Sequence, residues 1–395
     1  MIIVELLLLI MVLVLAFPVM VLAIEIFAAV IGRAPGPPVE TTLPADFRVA
    51  VLVPAHNESE GLVPTLQDIK AQLGPRDSVV VIADNCTDDT ASIAKAAGAD
   101  VIERHDPVHR GKGYALDFGI RHLSHDPPDV IVFIDADCRV GPMALSGLAR
   151  TAWFSGRAVQ ARYIMNNPAP SAVRDRVTAF AWLLKNHIRP LGLRALGLPC
   201  QMMGTGMAVT WTNIGTINLA TGHIVEDVKL GLDLASAGAA PLYWPAVEVS
   251  SEFPSNDAGF GIQRRRWEGG SLRVLTSDAP RLLLKAAINQ NLFLAAMAAD
   301  LLVPPFLLLL ALHLFGSALA GLLLIATGAF MPFLITAASL LLLSASIFTA
   351  WARYGRNTLF VRDIAALPVL LLQKLPHYLG LWIKRNEGWV RTERD

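Results

Sequence analysis

The chain has 395 residues, no formal net charge, 54% hydrophobic residues and only 17% charged ones. Soluble domains usually carry roughly 25% charged residues, so this composition argues against a soluble multidomain protein. The balanced charge carries no signature of a nucleic-acid binder.

The hydrophobic excess sits in residues 2–31 and again from about 281 onward. Leu6–Ile24 is uncharged throughout and close to the ~20 residues a helix needs to cross hydrocarbon. No basic residue precedes Arg33, which reads as an uncleaved anchor rather than a signal peptide. Arg33 on its far side places the middle of the chain in the cytoplasm. Residues 1–31 are therefore expected as a membrane helix, and the Pro-rich 32–44 as a linker.

From 45 to 280, strand-like and helix-like runs alternate. "RVAVLVPAHNE" reads as a strand followed by a turn, with an amphipathic stretch through Leu73. "SVVVIADNCTDDT" is a second strand leading to a helix through Ala97, and "ADVIER" a short third. "GKGYALDFGIRHL" is a helix entered through glycines, and "DVIVFIDAD" a fourth strand. Apolar strands separated by helices imply a parallel sheet covered on both faces. Ligands bind such sheets beyond the carboxyl ends of the strands. Polar clusters fall at all four ends: His56-Asn57-Glu58, then Asp84, then Arg110-Gly111-Lys112, then Asp135 and Asp137.

Beyond 281, residues 291–315 and 317–350 are each long enough to span, the first carrying Asp300 and the Pro304-Pro305 pair. The second is either one tilted helix or two short ones. "WARYGR" (351–356) is basic and expected on the cytoplasmic side. Residues 364–383 contain Lys374, Pro376 and His377, which suits an interfacial or re-entrant helix. Cys86, Cys138 and Cys200 are far apart and in no CxxC spacing, against a disulfide framework and a zinc site.

The sequence after the first strand is "PAHNES", not GxGxxG, and "RGKGY" does not complete a P-loop. An acidic site with basic neighbours remains. Asp135-Ala-Asp137 taken alone is either a capped turn or a divalent-cation site; beside Asp84 and Lys112 the cation site is the stronger reading. "HIVEDVKLGLDLASAG" opens a helix with Glu226-Asp227, where acids favour the dipole. In "GIQRRRWEGG", Gln263, Arg266 and Trp267 share a helical face; Arg264 and Arg265 point elsewhere and suit anionic lipid.

In this order, "VPAHNE", Asp84, "GKG", "DAD", "GTG", "VED" and "QRRRW" resemble the membrane-embedded family-2 glycosyltransferases. These are the cellulose, hyaluronan, chitin-oligosaccharide and poly-N-acetylglucosamine synthases, and the match covers roughly residues 48–275. The resemblance implies an α/β GT-A domain (a Rossmann-like mixed sheet) at 45–280, with transmembrane and interfacial helices at 281–395. It implies an inverting hexosyltransferase in the bacterial inner membrane, taking a UDP-sugar with Mg²⁺ or Mn²⁺. Asn57, Glu58, Asp84, Lys112, Asp135, Gln263 and Arg266 would hold the donor, and Asp135 with Asp137 the metal. Asp227 would be the general base, with Gly204, Thr205, Gly206, Glu226 and Trp267 on the acceptor side. The family's usual Thr-Glu-Asp is Val225-Glu226-Asp227 here, which removes one supporting hydroxyl. The acceptor would be a growing β-linked polysaccharide passed through the membrane segments, with non-processive transfer of one sugar to a lipid acceptor as the alternative. With so few helices to line a channel, polymer export would call for a second copy or an accessory protein. A nucleotide-binding transport or scaffold protein, supported by Asp300 within a span, is the reading from another class.

Overall fold

The structure is a computed structural model and describes residues 2–33, 42–166, 172–215, 217–220, 225–253 and 267–383. It divides into two units. One contains Met1–Arg33, Ala169–Gly197 and Gly261–Gly388; the other contains Ala34–Pro168, Leu198–Phe260 and Trp389–Asp395.

The second unit is built on an eight-stranded mixed sheet. In chain order its elements are β1 (Val49–Ala55), α2 (Val63–Lys70), β2 (Ser78–Asp84), α3 (Thr90–Ala96) and β3 (Asp100–Arg104). These are followed by α4 (Lys112–Leu123), β4 (Val130–Phe133), β5 (Arg139–Val140), α5 (Ala144–Ser155) and β6 (Val159–Asn166). The rest are β7 (Met207–Thr210), α8 (Trp211–Ile214), α9 (Glu226–Ser236) and β8 (Leu242–Glu252). The strand order is β3-β2-β1-β4-β7-β6-β8-β5. The four strands expected from the sequence form the parallel half, in the register Val51↔Val79, Val51↔Val132 and Val81↔Val101. The run of β-branched and aliphatic residues in β1, β2 and β4 follows from burial on both faces: Val51, Leu52, Val81, Ile82, Ile131 and Phe133 are all fully buried.

The sheet then reverses direction. β7 pairs antiparallel with β4 through Val130↔Thr210 to Phe133↔Met207. This places the loop preceding β7 beside the carboxyl end of β4. The acids that end β4 and the glycine-rich segment before β7 are thus brought to one edge by strand pairing alone.

The helical unit contains α1 (Ile2–Ile31), α6 (Val173–Leu183) and α7 (Arg189–Ala195), the last two joined by a π-helical turn, Leu184–Ile188. It continues with α10 (Ala279–Ile288), α11 (Leu292–Leu301), α12 (Phe306–Thr327), α13 (Phe330–Ala350) and α14 (Leu367–Ile383). Among the described residues, three helices are long and apolar enough to cross a membrane: Ile3–Ile31, Phe306–Thr327 and Phe330–Gly355. The expected spans 291–315 and 317–350 are corrected here. Pro304-Pro305 ends the first helical piece, and Gly328, at φ +77°, separates the other two. Gly316, expected near a boundary, lies inside α12, where a Cβ would come 3.2 Å from Leu15 of α1. Residues 169–197 group with these helices rather than with the sheet.

Candidate active site

The turn after β4 carries Asp135 and Asp137, and it is held from below. The buried Thr65 hydroxyl of α2 lies 2.7 Å from the carbonyls of both Ala136 and Cys138. The Asp135 amide donates to Thr205 Oγ1 at 3.0 Å, and that hydroxyl reaches Cys138 Sγ at 3.5 Å. Burial, helped by the nearby Asp135, pushes the Cys138 thiol up to about 12, so it is an inert packing group. With this scaffold fixed, the two carboxylates are presented at the ligand edge of the sheet.

Lys112 opens α4 and reaches across to Asp135. Its ammonium is ion-paired with Asp135 Oδ1 and donates to the Gly204 carbonyl at 2.8 Å. Burial opposes its charge, but Asp135, Glu226 and Asp227 offset that and hold its pKa above the usual lysine value. The second glycine of "GKG" has a packing role. A Cβ on Gly113 would fall 2.7 Å from the Leu219 carbonyl and 3.6 Å from Glu226 Cβ. Only a bare backbone lets Leu219 and Glu226 settle this closely on α4.

The segment before β7 completes the convergence. Gly204 has φ +89°, and a methyl there would lie 3.5 Å from Lys112 Nζ and 3.6 Å from Asp227 Oδ2. Asp227 Oδ1 accepts from the Val228 amide at 2.8 Å, so one oxygen caps the start of α9 and the other faces the site. Burial, then repulsion from Asp227, raises the Glu226 carboxyl to about 7, with Lys112 pulling the other way. The folded state therefore keeps a proton on Glu226 that the unfolded chain releases near 4.5. Its contribution to stability should be complete below pH 4.5 and fall as pH rises towards 7. Thermal unfolding of wild type and Glu226→Gln across that range should show the wild type losing ground as pH rises. A difference that grows in the other direction would contradict this.

The residues expected at the site fall into three groups. Lys112, Asp135, Gly204, Glu226 and Asp227 converge as described. Asn57, Glu58 and Asp84 lie at the ends of β1 and β2, on the same sheet edge, but partly in structural roles. Asn57, at φ 54°, exchanges side-chain bonds with Thr87, accepting its amide at 2.8 Å and donating to its hydroxyl at 3.1 Å. The Glu58 amide donates to Thr90 Oγ1 at 2.9 Å. Asp84 accepts from Arg104 at 2.6 Å and from Asn85 at 2.9 Å, both at Oδ1.

Thr205 needs a correction within the acceptor group. Its side chain is fully buried and its hydroxyl ties the Asp135 turn, so at that position only the main chain can face an acceptor. Trp267 lies in the helical unit, its ring 4.8 Å from that of Trp182. Gln263 and Arg266, with Arg264 and Arg265, lie outside the described residues.

Two residues that shape the site were not singled out in the sequence. Arg104 could have been found from register, since β3 pairs it with Asp84. Gln160 of β6 could not. Fully buried, it donates to the Thr205 carbonyl at 2.9 Å and accepts from the Met203 amide at 2.8 Å, bracing both ends of the glycine turn.

Asp135 and Asp137 have the chemistry to share a Mg²⁺ or Mn²⁺ with phosphate oxygens. Among the described residues no group of three or more His, Cys, Asp or Glu could hold a metal without such help.

Residues 44–270 match the model of a family described as glycosyltransferase like family 2, which takes in more than half of the chain. The chain belongs to this family. Among similar proteins, glucosyl-3-phosphoglycerate synthase of Mycobacterium tuberculosis is 34% identical over 126 residues, covering 27% of this chain and 38% of that one. The 4,4'-diaponeurosporenoate glycosyltransferase of Staphylococcus aureus is 35% identical over 92 residues, covering 22% and 24%. The chain thus spans well under half the length of these curated relatives. The mannosyltransferase PcManGT of Pyrobaculum calidifontis, solved with GDP-Man and Mn²⁺, is 17% identical. It superimposes with a TM-score of 0.50 over 86% of this chain and 98% of its own. At that identity the likeness is one of fold, and it identifies the glycosyltransferase domain as GT-A.

Proposed function

We propose that this family-2 glycosyltransferase is an inverting enzyme of the bacterial inner membrane with its catalytic domain in the cytoplasm. It moves a hexose from a UDP-sugar to a hydroxyl of a lipid-linked acceptor. The observation that carries the reading is the meeting of Lys112–Asp135 with Glu226–Asp227 around Gly204. A group that holds a diphosphate and a group that takes a proton share one small site.

In the reaction Asp227 accepts the proton of the acceptor hydroxyl as its oxygen bonds to the anomeric carbon. The bond from that carbon to the diphosphate oxygen breaks on the opposite side. One displacement inverts the centre, so an α-linked donor gives a β-linked product. A sugar hydroxyl is a poor nucleophile, and a positioned base is worth roughly 10²–10⁴ in rate. The ammonium of Lys112 is placed to balance charge that gathers on the leaving diphosphate. A Mg²⁺ or Mn²⁺ held by Asp135 and Asp137 would supply further charge neutralisation to that group. That PcManGT was solved in complex with GDP-Man and Mn²⁺ supports a nucleotide-sugar site of this kind.

The acceptor assignment rests on the membrane helices. Three candidate spans among the described residues make a small set from which to line a polymer channel. Extension of a β-glycan is the second reading, supported by the "QRRRW" motif at residues 263–267. Purified protein should be given labelled UDP-glucose, UDP-N-acetylglucosamine or GDP-mannose, with and without Mn²⁺ or Mg²⁺, plus membrane lipids. A single product extractable into organic solvent, formed from a UDP-sugar with metal, is expected. A glycosidase-sensitive ladder would replace the lipid reading with the polymer one. Transfer from GDP-mannose alone would overturn the donor.

A further inference from the structure

We propose that Lys112 and the divalent cation compete for Asp135, so that Lys112 keeps metal affinity low until a diphosphate draws its ammonium away. This rests on the reading of Asp135 and Asp137 as metal-holding acids and adds to it a rule for the order of binding.

Lys112 is joined to Asp135 through the carboxylate oxygen Oδ1, and its ammonium also donates to the Gly204 carbonyl. The paired side chains are only 21% and 32% exposed, so water screens them poorly. A divalent cation using Asp135 must either displace the ammonium from that oxygen or sit within a few ångströms of a fixed positive charge. Both weaken its binding. A diphosphate changes the balance, because its oxygens offer the ammonium a new partner while also ligating the metal. The ammonium suits this exchange: it is a compact charge on a flexible stem, with no fork geometry tying it to one carboxylate. Glu226 and Asp227 also attract it, so it need not leave the site to leave Asp135. Asp135 would then accept the metal only when the nucleotide arrives. That protects the enzyme from holding a tight metal with no donor.

The test uses full-length protein in detergent and two probes, Mn²⁺ alone (followed by the paramagnetic signal of the free ion) and inorganic pyrophosphate with chelator present. Lys112→Gln should bind Mn²⁺ about tenfold more tightly than wild type and pyrophosphate about tenfold more weakly. These opposite signs are the signature of competition. Lys112→Arg, which keeps the charge, should leave Mn²⁺ affinity close to wild type. Lys112→Met serves as a second uncharged variant of similar length if Lys112→Gln does not fold. Mn²⁺ affinity that is unchanged or weaker in the uncharged variant overturns the proposal. Asp135→Asn separates the two levels of the reading. If it abolishes Mn²⁺ binding while Lys112→Gln gains nothing, competition alone is wrong. If Asp135→Asn binds Mn²⁺ as wild type does, the metal assignment itself is wrong.

Discussion

Asp227→Asn should lower the rate of sugar transfer by roughly 10²–10⁴ while leaving nucleotide affinity nearly unchanged. The substitution is conservative in every respect but one. The amide oxygen of Asn can still accept the Val228 N–H that Asp227 Oδ1 accepts, so the start of α9 keeps its bond. What is lost is the ability of the outer oxygen to take a proton. Measuring kcat with saturating donor, alongside nucleotide binding by calorimetry, distinguishes a lost base from a lost binding group. Full activity in the variant would remove Asp227 from the proton chemistry. Glu226, whose carboxyl already rises to about 7, would then be the next candidate.

The second large effect lies in the helical unit. Arg189 of α7 is buried between Glu25 of α1 and Asp300 of α11. It donates to Glu25 Oε2 at 2.6 Å and to the Asp300 carbonyl at 2.7 Å, and is also ion-paired with the Asp300 carboxylate. Glu25 is 2% exposed and Asp300 8%. Here α1 and α7 meet backbone to backbone, since any Cβ at Gly192 would overlap the Glu25 carbonyl. Removing the shared cation leaves two carboxylates facing each other with no compensation. Arg189→Met should therefore destabilise the protein by about 3–5 kcal/mol, as expected on breaking a buried ion pair. Adding Glu25→Gln and Asp300→Asn should recover most of that loss, because the problem is unpaired charge and not the missing contact. Unfolding in detergent, followed by the melting temperature of all four combinations, is the measurement. An Arg189→Met protein as stable as wild type would mean that water reaches the cluster.

The same cluster bears on what could be read from the sequence. Asp300 stood out as an acid within an apolar segment and suggested a transport function. In the structure it serves packing, and its partners lie 111 residues away at Arg189 and, through Arg189, at Glu25. Nothing local to any of these residues announces the others. The parallel half-sheet was legible because β1, β2 and β4 are buried apolar runs ending in polar residues at one edge, with the short edge strand β3 beside them. The antiparallel half was not. β7 is only Met207–Thr210, a stretch that reads as the tail of a glycine loop, and its strand character comes from pairing with β4. The spans were misdivided for a similar reason. The break at Gly328 depends on a backbone angle, and "IATGAF" carries no charge or proline to mark it. Within the site the acids and Lys112 were evident as charges out of place. Gln160 and the inward turn of Thr205 are properties of packing, and only the assembled strands reveal them.

The separation of Glu25 from its partners also sets a problem during synthesis. A ribosome delivers α1 first, and Arg189 follows 164 residues later, with Asp300 later again. Until then the carboxyl of Glu25 must wait in a nascent apolar helix with neither cation nor cage. The first helix is thus inserted in a provisional state, and the arrival of the central segment fixes it.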